Sequence, residues 1–208
     1  MDSKKHKDLE FAYGSGHINP LQAVNSGLVY DATEADYIDF LCKQGYNTTT
    51  LKLITGDNGN FCDTLTPGRA WNLNYPSFSV AVEDGQQINA VFTRTVTNVG
   101  SPNSTYTLII DLPAYITVIV IPSVLSFSAI GEKKTFIVQV RGPKIAQQPI
   151  ISGALTWTYG VYAVRSPLVV YRILPGSYTL PSFSMSQNKP DFKGSSMYPK
   201  NGLLKHKH

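Results

Sequence analysis

From residue 73 to residue 173 apolar and polar positions alternate along the chain with a period of two, the pattern of strands that bury one face. The stretches 75–82, 90–98, 105–112, 116–121, 124–128, 134–141, 152–158, 161–164 and 168–173 read as strands. Asp84-Gly85, Asn98-Val99-Gly100, Pro113, Pro122, Gly131, Gly142-Pro143 and Tyr159-Gly160 punctuate them. Short strands broken this regularly predict a β-sandwich of about one hundred residues. In 134–141, parity turns Phe136, Val138 and Val140 to one face, while Lys134, Gln139 and Arg141 turn away or close the strand. Arg94 shares the parity of Phe92 and Val96, so it is expected to reach a strand end or a carboxylate in a structural role. Trp71, Trp157 and the tyrosines are expected in the core and at its corners.

Ahead of residue 73 the pattern differs. Residues 11–20 are turn-rich, 20–24 form a helical turn with Pro20 at its first position, and 27–31 are an extended link. Apolar residues at 37, 38, 40 and 41 mark a short amphipathic helix, with Thr33 as its N-cap and Gly45 as its end. A second helical turn over 49–54 is closed by Gly56. After residue 175 the periodicity stops, and 176–208 are expected to be a disordered tail.

Composition sharpens this picture. The 208 residues carry 42% hydrophobic and 15% charged positions, with 13 prolines and 16 glycines that rule against long helices. Much of the +4 net charge sits at the two ends, in Lys4, Lys5, Lys7, Lys200, Lys205 and Lys207. No basic stripe interleaved with aromatics lies between them, so no nucleic-acid partner is expected. No apolar run is long enough to span a membrane. Residues 1–8 lack the apolar core of a secretory leader.

Cys42 and Cys62 admit two readings. Paired, they close a loop of about 20 residues, worth roughly 3 kcal/mol in the chain-entropy picture. Unpaired, they are ordinary half-buried thiols. Two glycosylation sequons, at Asn47-Thr48-Thr49 and Asn103-Ser104-Thr105, fall in predicted surface loops. Together with the cysteines they favour a secreted history, which a start without a leader opposes. A piece cut from a larger secreted precursor would reconcile the two.

Catalytic chemistry is hard to find. Of four histidines, His6, His206 and His208 lie in the ends, which leaves His17. Ser15 beside it is no nucleophile elbow, because Tyr13 stands where glycine is required. Two residues apart on an extended chain, the pair is poorly placed for a mutual hydrogen bond, and a tight turn is the expected role. Asp57-Asn58-Gly59-Asn60 with Asp63 lacks the alternating carboxylates and closing glutamate of a calcium loop, so it reads as a polar turn. No residues stand at zinc-ligand spacing. No catalytic residue, metal or cofactor is expected.

One resemblance organises these observations. The run Phe11-Ala12-Tyr13-Gly14-Ser15-Gly16-His17-Ile18-Asn19-Pro20-Leu21-Gln22-Ala23-Val24 resembles the segment after the catalytic-serine helix of plant subtilisin-like, cucumisin-like serine proteases. Gly27 to Asp31, Asp36 to Cys42, Leu73 to Phe78, Arg94 to Gly100 and Val164 to Pro167 continue it in family order. Trp157-Thr158-Tyr159-Gly160 departs from the family's usual Trp-x-Asp-Gly.

The resemblance implies a mainly β chain: a fibronectin type III-like sandwich at 73–175, preceded by a helical and loop remnant of a subtilisin-like α/β domain at 1–72. The tail 176–208 has no counterpart. It implies that Cys42 and Cys62 are bridged, that the family's Asp/His/Ser triad lies upstream, and that the partner is the missing catalytic domain in cis. The implied setting is the apoplast. The chain then reads as a non-catalytic fragment of a secreted endopeptidase with an accessory role; the alternatives are a stand-alone binding sandwich or a truncated pseudogene product. The apolar residues Leu28, Val29, Phe40 and Leu41 are expected to stay exposed once that partner is missing.

Overall fold

A computed structural model describes residues 8–59, 61–62, 68–145 and 150–173; the expected tail at 176–208 lies outside them. Two sheets face each other. Strands β1 (Leu28–Val29), β3 (Gln87–Asn98), β7 (Lys133–Lys144) and β5 (Thr117–Ile121) form one, in the order β1-β3-β7-β5. The other runs β2-β9-β8-β4-β6, from β2 (Phe78–Glu83), β9 (Tyr162–Ile173), β8 (Ile150–Tyr159), β4 (Ser104–Asp111) and β6 (Val124–Phe127). All neighbours are antiparallel except β2 and β9, which pair in parallel from Phe78↔Leu168 to Glu83↔Ile173. This is the β-sandwich that alternation predicts, in the fibronectin type III-like form that the resemblance implies.

The core fills from both inner faces. Phe78, Val80 and Val82 of β2, Ile88, Phe92 and Val96 of β3, and Phe136, Val138 and Val140 of β7 are buried. Trp157 of β8 is fully buried and meets the Phe136 ring edge-on at 5.2 Å between centroids, which joins the two sheets at the centre.

Three expectations are corrected. Residues 161–164 and 168–173 belong to one strand, β9, which runs straight through Pro167. Pairing with β2 begins only at Leu168, so on that side Pro167 has no neighbour to bond. Gly142-Pro143, expected as a break, lies inside β7. Trp71 is 45% exposed rather than in the core.

The exposed Trp71 belongs to a device that period-two reasoning does not reveal. On one side β3 is paired along its length by β7; on the other, β1 reaches only Thr97 and Asn98. The segment after the 3-10 turn Ala70–Asn72 covers the rest with side chains. Trp71 Nε1 donates to the Val91 carbonyl at 3.1 Å, Thr93 N to Asn72 Oδ1 at 3.2 Å, and Thr95 N to Asn74 Oδ1 at 2.8 Å. Asn74 Nδ2 returns bonds to the carbonyls of Thr95 (2.8 Å) and Asp31 (2.9 Å). Alternate side chains thus stand in for a neighbouring strand and shield an open edge.

Ahead of the sandwich lie α1 (Glu10–Tyr13), α2 (Pro20–Ala23), α3 (Glu34–Lys43) and α4 (Thr48–Thr55). α3 starts at a capping box between Thr33 and Asp36, and α4 ends at Gly56 in the left-handed region at φ 70°. α1 is a helix where only turns were expected. Leu28 also departs from expectation: it is 2% exposed, inside the sandwich core, while Val29, Phe40 and Leu41 are half-buried. The extended link is an edge strand, and its register Leu28↔Asn98 brings the leucine inward. Asp31 then ties the link down, accepting from Thr97 Oγ1 and pairing with Lys133 at 3.2 Å.

Candidate functional site

Neither Ser15 nor His17 builds a catalytic pair. Both are exposed, and no hydrogen bond joins them. Beside them α1 and the β2–β9 edge enclose a cavity of about 200 Å³ lined by Glu10, Phe11, Ser15, Ser77, Ser79 and Val169. Glu10 Oε1 accepts from Ser152 Oγ at 2.5 Å, while Glu10 Oε2 and the Tyr13 hydroxyl are buried without a partner. The cavity offers serine hydroxyls and the Glu10 carboxylate, and no imidazole lines it.

The other candidates resolve as structural groups. Asp57 Oδ1 accepts from Gly59 N at 2.8 Å, the bond of a polar turn; Asn60 and Asp63 lie outside the described residues. No cluster of metal-ligating side chains occurs among the described residues. Cys42 and Cys62 are bonded to each other, with Cα atoms 5.3 Å apart, and link the end of α3 to the loop beyond α4. Asn47 caps α4, its Oδ1 accepting from Thr50 N at 2.8 Å. Asn103 is exposed in the turn between β3 and β4.

Arg94 is 3% exposed and meets no carboxylate among the described residues. Nε donates to the Tyr75 carbonyl at 2.8 Å, Nη1 to Thr93 at 2.9 Å and Nη2 to Ser77 at 3.3 Å. The guanidinium carbon lies 4.9 Å from the centre of the Phe78 ring and 5.4 Å from that of Phe92. Burial lowers its pKa to about 10, which leaves it charged at neutral pH. It fastens the approach to β2 onto β3.

At the Asn103 end, the turn between β6 and β7 is organised by Glu132. Its Oε2 accepts from Ser128 N at 2.6 Å and Ser128 Oγ at 2.9 Å, and Oε1 pairs with Lys134 at 2.7 Å. Lys134 first, then the Ser128 bonds, push its carboxyl down to about 2. A depressed carboxylate supports the fold above its ordinary value of 4.5 and withdraws that support as pH falls through about 2. Glu132→Gln is therefore expected to lower the denaturation midpoint at pH 6, with the two proteins converging near pH 2. Denaturant titrations across that range check this; equal midpoints at pH 6 would contradict it.

Several strongly exposed apolar side chains lie on the segment ahead of the sandwich. Ile18 (91%), Leu21 (85%), Val24 (83%) and Leu53 (71%) stand in solvent. These are not the residues expected to be exposed, yet they lie on the same segment. No helix among the described residues is long and apolar enough to cross a membrane.

Comparisons with known proteins bear on what that surface is. Residues 72–170 match the fibronectin type-III domain family. The chain is 44% identical over 169 residues to subtilisin-like protease SBT4.6 of Arabidopsis thaliana, covering 81% of this chain and 23% of that protein. Subtilisin-like protease SBT4.10 of the same plant is 47% identical over 165 residues, 78% of this chain and 23% of its own. For SBT4.11 the figures are 44% over 183 residues, 86% and 24%. The chain thus spans about a quarter of the length of the curated relatives it matches. Among solved structures, a FixG-related protein from Vibrio parahaemolyticus covers 42% of this chain and 82% of its own, with TM-score 0.36 and 12% identity, too slight a likeness to argue from.

Proposed function

We propose a role for this chain from one premise: it belongs to the plant subtilisin-like proteases, as a C-terminal portion of one. The chain is the accessory part of a secreted serine endopeptidase, does no proteolysis itself, and packs in cis on a catalytic domain that carries the Asp/His/Ser triad. Residues 1–72 are the last edge of that domain, 73–175 the fibronectin type III-like sandwich, and 176–208 a tail. The Cys42–Cys62 bridge and the two sequons fit passage through an oxidising compartment outside the cytosol.

The observation that carries this reading is the open apolar face of Ile18, Leu21, Val24 and Leu53, on a chain that spans 23% of a protease such as SBT4.6. Apolar side chains this open suit a surface that packs on another domain.

Two measurements test it. Incubated with a fluorophosphonate probe, the purified chain is expected to show no labelling, and labelling would falsify the non-catalytic claim. Mixed with a catalytic portion of SBT4.6 that lacks its own C-terminal quarter, the chain is expected to co-elute on size exclusion. Separate elution would favour a stand-alone sandwich.

A further inference from the structure

We propose that Asn103 carries an N-linked glycan in the secreted protein, and that Asn47, in the other sequon, is modified far less. The two sequons have the same hydroxyl, threonine, at their third position, so sequence alone does not rank them. Their settings differ. Asn47 spends its carboxamide oxygen on α4, accepting from Thr50 N at 2.8 Å and from Thr50 Oγ1 at 3.1 Å, and Thr48 and Thr49 are already helical. Thr48 Oγ1 also accepts from Cys62 N at 3.2 Å, inside the loop closed by the disulfide. A transferase has to bind its sequon as an open, turned segment, and a capped, cross-linked helix start opposes that.

Asn103 is presented differently. Both asparagines are exposed, but Asn103 sits at φ 53°, in the left-handed region that asparagine enters more readily than most residues. Its carboxamide takes part in no hydrogen bond with the described residues. Ser104 and Thr105 open β4, where alternation buries Ser104 (0% exposed) and leaves Thr105 outside. The frame beneath is firm. Asn98 Nδ2 donates to the carbonyls of Ser101 (3.0 Å) and Ala129 (3.2 Å), Gly131 N to Asn98 O at 2.8 Å, and Asn103 N to Ser128 O at 3.4 Å. The Asn103 turn is thus a rigid platform facing solvent, with room for a bulky hydrophilic group.

In the step itself, Nδ2 of Asn103 attacks the anomeric carbon of an oligosaccharide carried on a polyisoprenyl pyrophosphate. The C–N bond forms and the anomeric C–O bond breaks. The lipid pyrophosphate leaves with the bonding pair, and one Nδ2 proton passes to solvent.

This rests on the reading that the protein is secreted, and the experiment keeps the two apart. The 208-residue chain is translated behind a cleavable secretory leader in an extract containing microsomes, and only chains protected from added protease are scored. Scoring only translocated chains makes occupancy at Asn103 a test of the site, whatever compartment the natural protein enters. Wild type and Asn47→Gln are expected to show the mobility shift of one glycan, and Asn103→Gln and Thr105→Ala to lose it. Thr105→Ala leaves the left-handed residue untouched, so a folding defect at position 103 cannot mimic the result. Peptide mass spectrometry is expected to give occupancy at Asn103 several-fold above that at Asn47. Protected chains bare at Asn103, or equal occupancy at the two sites, would overturn the proposal.

Discussion

Replacing Trp157 by alanine is expected to destabilise the sandwich by about 3–5 kcal/mol, the range for emptying the place of a large buried aromatic. Trp157 is 0% exposed and its ring meets Phe136 across the two sheets. In register it stands opposite Leu108 of β4 and Val164 of β9, so the cavity opens at the middle of the five-stranded sheet. Strands paired on both sides cannot collapse inward to fill it, which favours the upper half of that range. Trp157→Phe should behave quite differently. The indole N–H is buried without a partner, so phenylalanine removes an unsatisfied donor while it keeps most of the contact area. Its expected loss is about 1 kcal/mol or less. Denaturant midpoints of the two variants check the contrast. Similar losses in both would mean that the indole, rather than the volume, holds the core.

Arg94→Met is the second large effect, expected at about 2–4 kcal/mol in the same measurement. Two effects oppose each other. Methionine removes the desolvation that lowers the guanidinium pKa to about 10, which is favourable. Against it, the carbonyls of Tyr75, Thr93 and Ser77 lose their charged donor together, and each carbonyl left buried without another partner costs about 1–3 kcal/mol. Losing the donor to three carbonyls at once outweighs the relief of desolvation. Arg94→Lys separates charge from shape: an ammonium lacks the planar fork that reaches three directions, so it should recover less than half of the difference. A lysine variant as stable as wild type would show that charge over Phe78 and Phe92, not the fork, is what matters.

Both residues illustrate how unevenly the sequence exposes its own plan. Parity singles out Arg94 as an inward residue among Phe92 and Val96, and so marks it as structural. It does not supply the acceptors, because Tyr75 and Ser77 come from a segment 17 to 19 residues away with no periodic relation to β3. Trp71 is the opposite case. A tryptophan next to a strand region reads as core on composition, yet its indole donates to an open strand edge. The Asn72 and Asn74 side chains beside it are the signal that could have revealed this, since alternate asparagines match the two-residue repeat of a bare edge.

Alternation by itself determined the sandwich: most of its strand stretches, and which side chains of β7 and of β3 around Arg94 face inward. That information is local, because a strand's two faces are set by its own sequence. The capping of α3 by Thr33 and the end of α4 at Gly56 are local in the same way. Only the tertiary structure decided the rest. It decided that Leu28 enters the core as an edge strand, that β9 continues through Pro167, and that Asn47 is held by a helix while Asn103 stands free in its turn. Each depends on which neighbour a segment meets, and a neighbour distant in the chain leaves no periodic trace in the segment it touches.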